Sequence, residues 1–116
     1  MRPLSAALLT LLTIQAHAVE AIRQESPIGI RHSFLVTGAT TTWLFDEDSN
    51  VAWQAEGYSR DGHVLDNGNI LISTGKEAKE YKAGTTEVIW SYTKSEENDE
   101  LGTVIRLENG DTMMVE

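Results

Sequence analysis

Two stretches 42 residues apart carry the same turn between the same kind of flanks: Leu65-Asp66-Asn67-Gly68-Asn69-Ile70-Leu71-Ile72 and Leu107-Glu108-Asn109-Gly110-Asp111-Thr112-Met113-Met114. Asn-Gly between two apolar runs signals a hairpin, because both residues tolerate positive φ. A hairpin that recurs at a fixed period limits the chain to architectures built from one repeated antiparallel unit. Further pairs extend the pattern. Val51-Ala52-Trp53 is matched by Val88-Ile89-Trp90 at a shift of 37, and Ser33-Phe34-Leu35-Val36-Thr37 by Asn69-Ile70-Leu71-Ile72-Ser73 at a shift of 36. Loops absorb such small differences in length more readily than strands do.

The unit between Gly62 and Tyr92 divides at its turns into four strands. His63 to Leu65 is a short apolar run, and beyond the Asp66–Asn69 turn Ile70 to Ser73 is continuously apolar, which suits a strand covered on both faces. Glu77 to Lys82 has mixed charge and is expected to tolerate partial exposure. Val88 to Tyr92 is rich in β-branched and aromatic residues, a composition that fits a pleated, half-buried surface. Upstream, residues 33–37, 41–45 and 50–54 form three short strands in 22 residues; downstream, 103–107 and 112–115 form two more. Spacing this tight leaves no room for helices. The expectation is an all-β fold of antiparallel units, with three, four and two strands in segments 33–54, 62–92 and 103–116.

Residues 1–18 stand apart from this pattern. Arg2 supplies a positive start, Leu4 to Ile14 is an apolar run too brief to span a bilayer, and Ala16-His17-Ala18 is a small-x-small cleavage site. The segment reads as a signal peptide cut after Ala18, which sends the protein to the periplasm or the extracellular space. Residues 19–32, with Pro27 and Gly29, form a weakly patterned lead-in. The exported chain then holds 98 residues with 8 Lys plus Arg against 18 Asp plus Glu, a formal charge of −10. Such a charge argues against nucleic acid and anionic lipid as partners, and no membrane span is expected once the signal is removed. The absence of cysteine rules out disulfides and thiolate metal sites.

Several residues invite chemical readings. Asp46, Asp48 and Asn50 alternate like the opening of a calcium loop, but Val51 stands where a glycine is needed and Gly57 where a bidentate Glu is needed. A polar hairpin turn is the better reading. Glu96, Glu97, Asp99 and Glu100 cluster in one segment that reads as a solvated connection, with a cation site as the alternative. Trp53 and Trp90 recur at matching places, each before a crossing loop, and are expected to pack between adjacent sheets; Trp43 is a third aromatic of the same region. Asn67, Gly68, Asn109 and Gly110 are assigned to the two turns. Three residues are candidates for ligand lining. His63 and Arg106 lie on the run before each Asn-Gly turn, and Arg60 is close by, so the three could line a cationic channel. A His at a strand start and an Arg at an exposed edge are equally at home in solvent. No phosphate loop, dinucleotide glycine fingerprint or nucleophile elbow is present; no metal site or cofactor is expected, and no catalytic residue can be named.

Leu65-Asp66-Asn67-Gly68-Asn69-Ile70-Leu71-Ile72-Ser73 followed by Val88-Ile89-Trp90-Ser91-Tyr92, then Arg106-Leu107-Glu108-Asn109-Gly110-Asp111-Thr112-Met113, resembles the blades of secreted bacterial β-propellers of the arylsulfotransferase-like and quinoprotein-like type. The resemblance covers Ser33 to Glu116. It implies four-stranded blades, ligand groups at the channel ends of the innermost strands, and a tryptophan on each blade that docks onto the next. Propellers close with about four to eight blades, so the chain is expected to be an incomplete propeller: a fragment of a longer repeat protein, or one that self-associates through exposed blade faces.

Two functions remain open from the sequence. One is a secreted binding or scaffold module that presents loops to a small ligand or a protein. The other is part of a propeller enzyme, sulfotransferase-like or quinoprotein-like, with an anion-binding central channel. The signal-peptide reading has a direct check: N-terminal sequencing of exported protein should begin at Val19, and an intact Met1 would refute it.

Overall fold

The computed structural model describes residues 24–116. The expected signal peptide, and the first part of the lead-in, lie outside the described residues. Among the described residues nine strands follow one another: β1 (Phe34–Val36), β2 (Thr41–Phe45), β3 (Val51–Glu56), β4 (Asp61–Val64), β5 (Ile70–Ser73), β6 (Glu77–Tyr81), β7 (Val88–Thr93), β8 (Val104–Arg106) and β9 (Thr112–Met114). They pair antiparallel with sequence neighbours into sheets of three, four and two strands, ordered β1-β2-β3, β4-β5-β6-β7 and β8-β9. There is no helix among the described residues, and none of the three sheets closes on itself. Each expected strand is present, with ends that differ by two residues at most.

The sequence repeat is also a repeat of register. Phe34, Leu35 and Val36 face Phe45, Leu44 and Trp43, while Ile70, Leu71 and Ile72 face Tyr81, Glu80 and Lys79, a shift of 36 in every partner. A register shift then falls at the same place in both sheets, between Leu44 and Phe45 and between Glu80 and Tyr81. Past it the loop between β6 and β7 is one residue longer than the loop between β2 and β3, so the offset becomes 37 at Trp53 and Trp90.

The three sheets pack in chain order, and β5 lies at their centre with all four residues buried. Side chains alternate along a strand, so Ile70 and Ile72 turn toward the first sheet and Leu71 and Ser73 toward the third. Ile70 and Ile72 join Trp53, Ala55 and Tyr81 in one apolar cluster, with Leu35 and Leu44 against it. Leu71 joins Ala78, Leu101 and Val104 in the other, with Leu65, Trp90 and Met114 against it. Polar contacts fasten both interfaces. Trp53 Nε1 donates to the Thr85 carbonyl at 2.7 Å, and the Thr42 and Ser59 hydroxyls meet at 2.5 Å in the first. Ser73 Oγ donates to the Leu101 carbonyl at 3.0 Å in the second. Gly62 sets the spacing of the first interface: a Cβ there would lie 2.9 Å from Leu35 Cδ2 and 3.2 Å from Ile72 Cγ2.

Two strands differ from their expected exposure. β6 keeps the partial exposure expected of it only at Glu77 and Lys79; Ala78, Glu80 and Tyr81 are buried, because β6 is an inner strand and these side chains meet neighbouring sheets. β7 is the edge of its sheet, so Val88, Ile89 and Tyr92 are exposed despite their apolar character.

The Asn-Gly turns differ in detail from a pair of positive-φ residues. Gly68 N donates to the Leu65 carbonyl and Leu65 N to the Asn69 carbonyl, both at 2.8 Å, and only Gly68 of this turn is left-handed, at φ +83°. This is the three-residue hairpin with glycine at its bulge position. Asn67 serves by its side chain, whose Oδ1 accepts the Asn69 N–H at 3.0 Å. Leu107 to Asp111 repeats every one of these bonds, with Gly110 at φ +90°. A β-branched residue is strained at this φ. Gly68→Val should therefore destabilise the protein by about 1 kcal/mol or more, measured as a lowered denaturation midpoint; an unchanged midpoint would show that the turn does not hold this conformation.

Candidate functional site

The hairpin ends of β4–β5 and β8–β9 lie side by side, and between them opens a cleft of about 470 Å³. His63, Leu65, Asp66 and Asn67 line it from one hairpin, and Arg106, Leu107, Glu108 and Gly110 from the other. His63 and Arg106 both reach it for a reason of parity. In register, His63 corresponds to Ile105, and Arg106 to Val64, so the two stand on opposite faces of equivalent strands. His63, paired across from Leu71, faces forward to the β8–β9 sheet; Arg106, two residues from buried Val104, faces back to the β4–β7 sheet. The facing surfaces bring them into one space between sheets.

Each is held differently. Arg106 Nη2 donates to Glu80 Oε2 at 2.5 Å and its Nε to Thr112 Oγ1 at 3.0 Å. Glu80 is only 5 % exposed, and its other oxygen accepts from Asn69 Nδ2 at 2.7 Å. Asn69 Oδ1 in turn accepts the Ala83 N–H at 2.9 Å. A turn residue, a buried carboxylate and the cleft arginine thus form one chain of charge-assisted bonds across the second interface. His63 Nε2 is buried without a hydrogen-bond partner, 3.5 Å from Asp61 Oδ2. Asp61 itself accepts the Gly62 N–H at 2.9 Å and the Val104 N–H at 3.2 Å, a second tie between the sheets.

Arg60 does not join them. It precedes β4, at the far end of that strand from the Asp66–Asn69 turn, and its guanidinium pairs with Glu100. Trp53 and Trp90 lie in the inter-sheet clusters and do not line the cleft. Asn109, whose Nδ2 donates to Asp111 Oδ2 at 2.8 Å, shapes the second turn. The lining is therefore not cationic: Arg106 is engaged by Glu80, and Asp66 and Glu108 add two carboxylates. Sequence reasoning missed Asp61, Asn69 and Glu80. Asn69 carried a signal as part of the repeated turn, whereas Glu80 lies in a charged strand where nothing marks it from Glu77.

A second, polar hollow of about 360 Å³ is lined by Gln24, Arg31, Glu47, Asp48, Ser49 and Asn50. Beside it Asp46 Oδ1 accepts the backbone N–H groups of Asp48 and Asn50, at 2.9 and 2.8 Å. The Asn50 N–H above all, then the Asn50 side chain and the Asp48 N–H, hold the Asp46 carboxyl below its ordinary range. Asp46 to Asn50 is thus a hairpin turn whose carboxylate is occupied by its own backbone. Among the described residues no three His, Cys, Asp or Glu side chains come together to hold a metal.

No family model, curated protein or solved structure matches the chain. The Glu80–Arg106 pair has a measurable consequence. Arg106→Leu leaves a buried carboxylate unpaired and should cost about 2 kcal/mol or more, read from urea denaturation, while the double variant Arg106→Leu with Glu80→Gln should recover much of that loss. A single variant as stable as the parent would show that the pair does not join the sheets.

Proposed function

We propose that this chain is a secreted, propeller-type repeat module that works by binding, and that its ligand-facing site is the cleft between the β4–β5 and β8–β9 hairpin ends. The observation that carries this reading is the shared register of successive sheets, including the equivalent bulge, with each sheet packed on the next through a tryptophan at the same position. In such an array the sheets are scaffold and the turns between equivalent strands are where a partner is met. The cleft supports binding more than chemistry. Arg106 and Asp61 are both engaged in holding sheets together, so neither is poised to act on a substrate.

The charge of the cleft points to the kind of partner. With Arg106 neutralised by Glu80, the carboxylates of Asp66 and Glu108 are the charged groups offered to a ligand, beside the partly exposed His63 ring, whose Nε2 is itself buried. They suit a neutral hydrogen-bonding group or a cation better than sulfate or phosphate. The enzyme reading, with an anion-binding channel, would need Arg60 and Arg106 free and together, and they are apart and paired. NMR titration of the full chain separates the two: millimolar N-acetyl-arginine amide should move the His63 ring and Asn67 amide signals, and sodium sulfate should not. A saturable shift with sulfate alone would overturn the module reading in favour of the anion channel.

A further inference from the structure

We propose that the outer edge of β9, together with Trp90, is a docking site for a β-hairpin that takes against β9 the position β6 and β7 hold against β5. The inference rests on the repeat that also supports the module reading, but on none of the residues of the cleft.

The edge comes first. β9 corresponds to β5 by turn, sequence and register, yet β5 pairs on both sides and β9 pairs, among the described residues, with β8 alone. Leu107 N donates to the Asp111 carbonyl and Val115 N to the Thr103 carbonyl. In an antiparallel ladder such bonded pairs alternate with non-bonded ones, so Thr112 and Met114 turn their backbone N–H and C=O groups outward. These are the positions at which Ile70 and Ile72 meet Tyr81 and Lys79.

The tryptophan is the second, independent observation. Trp53 packs edge-on against Tyr81, with ring centroids 5.3 Å apart, and its Nε1 donates to the Thr85 carbonyl in the turn between β6 and β7. Trp90 stands at the same register position, across from Glu80 as Trp53 is across from Leu44. It is half-buried against the second cluster, and among the described residues its Nε1 makes no hydrogen bond. An aromatic on a third strand and a turn carbonyl would complete it as Tyr81 and Thr85 complete Trp53.

The turn adds a third. Asn69 Oδ1 accepts the Ala83 N–H and so fixes the start of the β6–β7 turn against β5. Asp111 occupies the place of Asn69 and carries an acceptor able to take the same bond. On the face of β9 turned away from Met114 and the second cluster, Met113 is 47 % and Val115 57 % exposed, so the strand is apolar on both faces up to its open edge. The partner this surface fits is a hairpin that is apolar or aromatic toward Trp90, with an unengaged carbonyl and N–H in its turn. Such strand addition draws its affinity from main-chain bonds and its register from side-chain pockets.

The test uses the isotope-labelled full chain and, as the probe, a backbone-cyclised peptide of residues 76–94, which carries the β6–β7 hairpin already ordered. Binding should shift the Trp90 indole N–H downfield and protect it, together with the Thr112 and Met114 amides, from solvent exchange, and leave the His63 signals in place. Trp90→Phe keeps the ring but not the donor, and should weaken the peptide about 5-fold, the worth of one hydrogen bond. A peptide that moves none of these signals overturns the proposal. Protection of the same groups that grows with the protein's own concentration, and that the peptide does not displace, assigns the edge to a second copy and overturns it equally. Perturbation confined to the cleft leaves the module reading standing while refuting the hairpin site.

Discussion

Burial of β5 on both faces is the constraint from which the rest of the structure follows, because a strand with all four residues out of water needs a sheet on each side. Ile70, Leu71 and Ile72 each contribute roughly 1.5 to 3 kcal/mol by leaving water, and they do so in opposite directions. The first sheet answers Ile70 and Ile72 with Trp53 and Ala55; the third answers Leu71 with Leu101 and Val104. Gly62 then becomes necessary, since a side chain on that face of β4 would push Leu35 away. The chain is ordered as a stack because its most apolar strand lies at the centre of it.

The polar groups obey the same geometry. A carboxylate as buried as Glu80 is stable only when charge and hydrogen bonds reach it, and they arrive from both sides: Asn69 from its own sheet and Arg106 from the next. The cleft is a consequence. Two hairpin ends are held side by side by Asp61, Glu80 and the second apolar cluster, and the space left between their turns is lined by what those turns carry. Sheet-to-sheet contact and the lining of the cleft therefore come from adjacent residues, with Arg106 directed inward to Glu80 while Asp66, Asn67 and Glu108 remain at the opening.

Much of the fold was legible in the chain. The Asn-Gly turns, the run Ile70 to Ser73 and the tight spacing of apolar segments are local signals, and local signals place strands well. The division into three, four and two strands followed from counting them. The candidate site was legible only in part. His63 and Arg106 were noticed because each precedes a repeated turn, yet their equivalence was one residue out, and that one residue turns a side chain to the other face. Arg60 was close in sequence to His63 and is far from it along β4. Glu80 gave no signal, since a charged residue on an inner strand looks like one on an edge until its neighbours are known.

What the sequence by itself determined is the local, periodic part: all-β character, strand positions, the places of the turns, and the repeat that relates one sheet to the next. These depend on φ preferences and on alternation, which act between residues a few positions apart. Only the tertiary structure decided which face of each strand meets which neighbour. That choice buried Glu80, engaged Arg106 and set His63 opposite it across a cleft, and it gave Trp53 and β5 partners that, among the described residues, Trp90 and the edge of β9 do not have. The physical reason is that burial and pairing are properties of the space between sheets, and that space is defined by residues tens of positions apart.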